Sequence, residues 1–205
     1  MWLNQFSVSI PEANEENSGY VPLQHGTVYT LVLGNQRRVR CDAHVEIDGK
    51  SVGRWRLYAG ESLRLERPAH DTGRFTFYRV SSAEAQQVGL QAGEPTLGLV
   101  KVVFTPEIAQ RPLVSPEYTL RICNHVSGSR SRMGDSAIVV NDSYHPGGTG
   151  LSGLSAQYFV SVGEMPLDHS QQTTIHLRLV AQDDVAVTPR PLTAFSTPVP
   201  PSVGG

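Results

Sequence analysis

Residues 39–57 read VRCDAHVEIDGKSVGRWRL, two runs that flank Asp48-Gly49. Apolar side chains take every second position from Val39 to Ile47, and polar or charged side chains lie between them, as in a strand with one buried face. Asp-Gly favours a tight hairpin turn because both residue types tolerate positive φ angles. The stretch therefore predicts an antiparallel hairpin with one face in a core.

The loop length of this hairpin follows from the side chains of the second run. Its tryptophan and leucine share a face with the apolar residues of the first run only if the loop holds an odd number of residues, because strand side chains alternate with a period of two. We therefore expect a three-residue or bulged loop over 48–50, with Ile47 facing Ser51. This register places Asp42 opposite Arg56.

Similar β-branched or alternating runs recur along the chain between Gly, Pro and Asp-rich breakers. One short helix is expected near 82–89, where Ser81-Ser82-Ala83-Glu84 has the spacing of a capping box. Loops rich in Gly and Ser are expected at 127–132 and 144–155. Many short strands with almost no helix predict an all-β fold, an antiparallel β-sandwich or jelly roll. The expected strands are 4–10, 27–33, 38–47, 51–57, 62–66, 74–79, 97–105, 118–123, 137–140, 157–162 and 173–181.

The chain of 205 residues is long enough for one large domain with an appendage. We expect a β-sandwich domain over 1–187, in which 1–10 forms either an N-terminal arm or a strand. Residues 188–205 are rich in proline and predict an extended C-terminal tail without internal hydrogen bonds.

The charge of the chain bears on its partners. A net charge of −2 and a sequence pI near 6.4 leave no basic footprint for nucleic acid or a membrane surface, and no apolar run is long enough to span a membrane. Only 18% of residues are charged, against roughly 25% in an average soluble domain, which favours a surface covered by partners. Of the 17 basic residues 15 are arginine, a preference typical of interfaces and equally of a GC-rich genome.

The N-terminus, MWLNQF, has no basic and apolar stretch of the kind that directs secretion, which predicts synthesis in a cytosol unless a leader has been removed. The two cysteines, Cys41 and Cys123, both lie in alternating segments. Buried free thiols are therefore favoured over a disulfide or a metal site.

Residues 148–153 read GTGLSG and match the G-x-G-x-x-G pattern of dinucleotide sites. In such sites the glycine loop precedes a helix, whose N-terminus binds the pyrophosphate. Here residues 156–160 have the pattern of a strand instead. We therefore interpret the match as accidental and the glycines as a flexible or turn-forming loop.

No two of the seven histidines have the i, i+4 spacing of a helical zinc motif. The best loop ligands are His145 with Asp142 and His169 with Asp168, although solvated loop histidines are commoner than metal sites. Ser152 with His145 and Asp142 is the closest grouping to a hydrolase triad, but no nucleophile-elbow motif contains that serine. The histidines are His25, His44, His70, His125, His145, His169 and His176.

Two further groups of residues have both a chemical and a structural interpretation. Glu61, Glu66 and Asp71 could pair for glycoside chemistry, yet acids beside arginines in neighbouring strands more often form ion pairs, here among Arg64, Glu66 and Arg74. An aromatic set could form a carbohydrate-stacking platform if it faced solvent. Two of its members, Phe75 and Phe77, share one strand face, which favours a place in the core. The set is Trp55, Tyr58, Phe75, Phe77 and Tyr78.

Several of these stretches together resemble uncharacterised β-rich proteins of large DNA viruses and aquatic microbes. That resemblance implies a structural or virion-associated setting and brings no known activity with it. The stretches are RCDA at 40–43, IDGK at 47–50, GRWR at 53–56, LERP at 65–68, TGRFTF at 72–77, GLSGLS at 150–155 and IHLRL at 175–179.

The sequence thus favours a non-enzymatic structural subunit of a larger assembly, associated with a virion or capsid or forming a filament. Its expected partners are copies of itself or other assembly proteins, contacted by arms at 1–10 and 188–205. We expect no catalytic, cofactor or metal residues, no nucleic acid and no membrane span. The expected location is a virion or an extracellular assembly. The alternative is a carbohydrate- or surface-binding β-sandwich module.

Overall fold

The computed structural model describes residues 1–15, 19–109 and 145–182. These residues form eleven strands, one short α-helix and one 3-10 turn. In chain order they are β1 (Trp2–Leu3), β2 (Phe6–Ser9), β3 (Tyr20–Leu23), β4 (Leu31–Asn35), β5 (Cys41–Ile47), β6 (Lys50–Leu57), β7 (Ser62–Leu65), β8 (Arg74–Arg79), α1 (Ala83–Gln87), β9 (Leu99–Pro106), β10 (His145–Ser152), a 3-10 turn (His169–Gln171) and β11 (Thr173–Ala181).

The strands form two sheets that share one core. The smaller sheet has the order β1-β2-β4-β7, and the larger has β6-β5-β9-β11-β10-β8, with β3 lying parallel to β11. The rings of Phe6 and Phe104, one from each sheet, stack with their centroids 4.6 Å apart. Apolar residues of both sheets belong to the same buried cluster. The prediction of an all-β sandwich is confirmed.

The hairpin of β5 and β6 has a shorter turn than its sequence predicted. Ile47 pairs with Lys50, so the expected partner, Ser51, was wrong. Asp48 and Gly49 alone form the turn, with φ angles of 51° and 73°. Two positive φ angles give a turn whose twist matches that of the two strands, which favours a two-residue loop over a longer one.

A β-bulge restores the register that the short turn would otherwise shift. Val45 pairs with Gly53 and Glu46 with Ser51, so Val52 is the additional residue of the second strand. Beyond the bulge, Asp42 lies opposite Arg56, as predicted. The extra residue required by the side-chain pattern therefore lies within the strand and not within the loop.

The short helix lies where the sequence placed it. The Ser82 side chain accepts a hydrogen bond from the Ala85 backbone N–H at 3.1 Å and so caps the N-terminus of α1. Gly89, with a φ of 76°, follows the C-terminal end.

One strand was predicted as a loop. Residues 145–152 form β10, in which 147–152 pair with β8 and 145–146 with the end of β11. Its glycines predict a loop, but a Cβ atom at Gly147 would overlap the Phe77 ring, and one at Gly150 would lie 2.5 Å from the Tyr78 ring. The glycines therefore allow aromatic side chains of β8 to lie against the backbone of the neighbouring strand.

The N-terminal residues are part of the smaller sheet, so the interpretation of 1–10 as an arm was wrong and the strand interpretation fits. β2 pairs with both β1 and β4, and Phe6 and Val8 are fully buried. Removal of this segment would expose the core. The sequence also missed β3, because Pro22 interrupts its alternation.

Cys41 is a buried free thiol, and its burial raises its pKa to about 12. The expected strands 118–123 and 137–140, the loop 127–132, the tail 188–205 and the residues Cys123, His125 and Asp142 lie outside the described residues.

Candidate functional site

Residues 153–163 cross the surface without joining either sheet, although 157–162 was predicted as a strand. Exposure alternates from Leu154 to Val160 with the period of two that is typical of an extended strand. The outward side chains form what we call the apolar stripe: Leu154, Ala156, Tyr158, Val160 and Val162. Leu154 is 81% exposed, Tyr158 83%, Val160 73% and Val162 52%.

The inward polar side chains of this segment bind to the strand β7 and the residues that follow it. The Ser155 hydroxyl donates to the Glu66 carboxylate at 2.9 Å. The Gln157 side chain accepts from the Glu66 backbone N–H at 3.0 Å and donates to the Arg64 carbonyl oxygen at 2.6 Å. The buried Arg67 donates from Nε and Nη2 to the Gln157 carbonyl oxygen, at 3.0 and 2.7 Å.

Phe159 is the apolar anchor of the same segment. Its ring meets Trp55 edge-on with the centroids 5.6 Å apart, and the Arg67 guanidinium carbon lies 4.4 Å from the Phe159 centroid. Further along, Arg56 donates from Nη1 to the Gly163 carbonyl oxygen at 2.7 Å. The inner face is thus fixed at four successive points, which holds the apolar stripe in a defined position.

The backbone of the segment is less well paired than its side chains. Within the part of the chain that the structure describes, the N–H groups of residues 158–162 have no hydrogen-bond partner. No charged residue occurs from 153 to 163. A neutral strand whose backbone N–H groups are unpaired by the described residues is a template on which another strand can pair.

A second feature is a cavity of about 820 Å³ at one end of the sandwich, lined in part by Asn4, Arg37, Asp168 and Gln171. Arg37 donates to the Asn4 carbonyl oxygen at 3.2 Å and to the Gln171 side chain at 3.1 Å. Hydrogen bonds from Ser170 lower the pKa of Asp168. Arg37 and Asp168 therefore already bind partners within the fold.

A third feature is a set of buried polar groups around the hairpin turn. The Asp48 carboxylate points inward and accepts from the backbone N–H groups of Gly98 and Thr149, at 2.5 and 2.6 Å. Burial raises the pKa of Asp48 to about 6, and the two hydrogen bonds oppose that shift. The Tyr29 hydroxyl lies 2.7 Å from the Thr149 hydroxyl, and burial raises its pKa well above the usual range. Burial lowers the pKa of the nearby Arg178 to about 10.

The structure separates the residues of the suggested hydrolase grouping. His145 and Ser152 lie at opposite ends of β10, about 23 Å apart for seven residues of extended strand. The Ser152 hydroxyl lies 2.6 Å from the Thr76 hydroxyl. Asp168 accepts both the backbone N–H and the hydroxyl of Ser170, so its carboxylate faces that residue.

The structural interpretations of the other candidates fit their positions. Arg74 in β8 lies 3.8 Å from Glu66, the residue that follows β7, as expected for an ion pair. Trp55, Phe75 and Phe77 are buried, so they belong to the core and form no solvent-facing platform.

Among the described residues, no three His, Cys, Asp or Glu side chains are placed to hold a metal ion. None of the helices within those ranges has the length and hydropathy needed to cross a membrane. No known protein-family model, curated protein or solved structure matches the chain. The function is therefore inferred from the geometry of the molecule, in which the apolar stripe is the feature that the fold itself leaves unexplained.

Proposed function

We propose that the chain is a non-enzymatic structural subunit of a larger protein assembly, associated with a virion or capsid or forming a filament. The observation that carries the proposal is the apolar stripe. It consists of five neighbouring outward side chains with no charge among them, held in place by the anchors on the opposite face.

Physical chemistry supports this use of the stripe. Burying a side chain such as leucine or valine contributes about 1.5 to 3 kcal/mol, so leaving several of them in water forgoes a large stabilising term. Single exposed apolar residues are common on monomers, but a contiguous set more often marks a contact surface. The inward hydrogen bonds use the polar side chains of Ser155 and Gln157, which leaves the apolar stripe and Ser161 exposed for a partner.

The composition and the resemblance support the same function. The low charged fraction, 18%, and the preference for arginine are typical of surfaces covered by partners. Seven short stretches between 40 and 77 and between 150 and 179 resemble uncharacterised β-rich proteins of large DNA viruses and aquatic microbes, and the resemblance implies a structural or virion-associated setting. The proline-rich residues 188–205 are suited to reach a neighbouring subunit, whereas residues 1–10 are committed to the smaller sheet.

The oligomeric state of the purified full chain tests the proposal. We expect particles larger than a monomer by light scattering over a concentration series, and regular assemblies by electron microscopy. A monodisperse monomer at every concentration, without assemblies on the grid, would overturn it.

A further inference from the structure

We infer that the apolar stripe pairs with the stripe of a second copy of this chain, as two antiparallel strands related by a twofold axis at Tyr158. The inference rests on the proposed assembly function and specifies one of its contacts. The occupant is another copy because the segment is complementary to itself, as its charge and its register indicate.

The charge pattern favours self-pairing. A twofold axis brings each residue near its own equivalent, so any charged side chain near the axis would face a like charge. No residue from 153 to 163 is charged, although charged residues occur on both sides of the segment, such as Arg74 and Glu66 beneath it. The segment is therefore free of the repulsion that a symmetric contact would otherwise create.

The register of the pair follows from the side-chain faces. Opposed residues of an antiparallel pair lie on the same face, so the axis must pass through a residue and not between two. With the axis at Tyr158, Leu154 faces Val162, and Ala156 faces Val160. Only this position pairs every outward apolar residue with another one, because an axis at either neighbouring residue leaves one end of the stripe facing residue 152 or 164.

The backbone supports the same contact. The N–H groups of residues 158–162 have no partner within the described part of the fold, and a neighbouring strand on one edge would supply carbonyl acceptors for every second one of them. The inward anchors, including Gln157 and Phe159, leave one strand edge for the second copy, and the outward side chains of the two stripes then lie side by side.

Cysteine cross-linking tests the register directly, in the full chain with Cys123→Ser and the buried Cys41 retained. In Tyr158→Cys the two introduced thiols would face each other, at a Cα separation of about 4.5 to 5.5 Å that permits a disulfide. The matched control is Val162→Cys, whose equivalents would lie eight positions apart along the pair, about 27 Å. We expect Tyr158→Cys to give a covalent dimer under mild oxidation at least tenfold faster than Val162→Cys.

A second variant measures the contact without cross-linking. Tyr158→Glu places two like charges at the axis and should raise the dissociation constant of the stripe-mediated dimer at least tenfold. Tyr58→Glu, at another exposed tyrosine, is the control and should leave it unchanged. Circular dichroism melting curves that match those of the original chain show that the variants are folded.

The outcomes separate the pairing from the proposed function. The pairing would be overturned, and the assembly function would remain, if the original chain forms larger particles but cross-linking is equal at 158 and 162 and Tyr158→Glu has no effect. A chain that is monomeric at every concentration would overturn both, and would indicate that the same chain or a different protein covers the stripe. Selective cross-linking at 158 together with dissociation by Tyr158→Glu would support the pairing.

Discussion

Arg56 lies opposite Asp42 in the β5–β6 hairpin and donates to both of its carboxylate oxygens, from Nε at 2.9 Å and from Nη2 at 3.2 Å. The third nitrogen, Nη1, binds the Gly163 carbonyl oxygen at 2.7 Å. Both side chains of the pair are largely buried. One guanidinium group therefore connects the hairpin to the segment that carries the apolar stripe.

Replacing Arg56 by leucine should destabilise the fold by about 2 to 4 kcal/mol, because it leaves a largely buried carboxylate at Asp42 without its partner. The free energy of unfolding in urea measures this effect. Arg54→Leu, at an exposed position of the same strand, is the control and should change it by less than about 0.5 kcal/mol. Equal effects of the two substitutions would contradict a structural role for the Asp42–Arg56 pair.

Gly53 should be a sensitive position of the bulged strand. Its φ is 150°, and a Cβ atom there would lie 2.6 Å from the Trp55 ring and 2.8 Å from the Ala69 Cβ atom. We expect Gly53→Ala to lower the free energy of unfolding by about 2 to 4 kcal/mol, from backbone strain and overpacking together.

Gly60→Ala separates these two contributions to the effect at Gly53. Gly60 also has a positive φ, 75°, but no atom lies within 4 Å of the position of its Cβ. Its substitution should cost about 1 kcal/mol from the backbone alone. If Gly53→Ala costs no more than Gly60→Ala in the same urea titration, the packing around the bulge is looser than the contacts of Trp55 and Ala69 indicate.

The hairpin illustrates how far the sequence alone could lead. The alternation of apolar residues predicts that Asp42 faces Arg56. It does so because it requires an odd number of unpaired residues in the loop and any bulge together. It does not locate the extra residue, since a longer loop and a bulge at Val52 give the same pairing beyond them. The location depends on turn twist and on the space beside Gly53, which are properties of the folded hairpin.

The structures of β10 and of the apolar stripe differ from the sequence prediction for a related reason. The space beside Gly147 and Gly150 of β10 is filled by aromatic rings of β8. The sequence of β10 therefore shows no alternation of apolar residues that would predict a strand. Residues 157–162 do show a strand period, but whether a strand finds a ladder partner depends on distant residues. The sequence therefore predicted the extended pattern of the stripe and not its exposure, and the anchors Gln157 and Arg67 had no local signal.

Gly147 in β10 tests the packing of glycine against aromatic rings. Gly147→Ala should destabilise the fold by about 2 to 4 kcal/mol, because the added methyl group would overlap the buried Phe77 ring. Gly163→Ala, in open space, is the control and should have little effect.

Compensation by a second substitution distinguishes this overlap from a backbone effect. Phe77→Leu replaces the ring by a smaller side chain and should be destabilising alone. The double variant Gly147→Ala/Phe77→Leu should nevertheless be at least about 1 kcal/mol more stable than the sum of the two single effects predicts. Additive losses in thermal or urea unfolding would show that Phe77 is not what restricts residue 147.

The buried carboxyl of Asp48 should make the stability of the fold depend on pH. Its pKa of about 6 in the folded chain exceeds the ordinary aspartate value of 3.8, mainly because burial disfavours the charged form. The folded state therefore binds the proton more tightly than the unfolded state. The stabilisation from protonated Asp48 is complete below about pH 4 and is lost as the pH rises through 6.

Asp48→Asn removes this titration and serves as the reference for the other groups that titrate. A shift of about two units corresponds to about 3 kcal/mol, so the stability of the original chain relative to the variant should fall by about 2 to 3 kcal/mol between pH 4 and pH 7. The variant also loses the acceptor for the Thr149 N–H. That loss lowers its free energy of unfolding by the same amount at every pH, so the dependence of the difference on pH is unchanged. Arg178, a cation near Asp48, keeps its charge over this range. A pH-independent difference in the urea unfolding free energies would mean that the pKa of Asp48 is not raised in the folded chain.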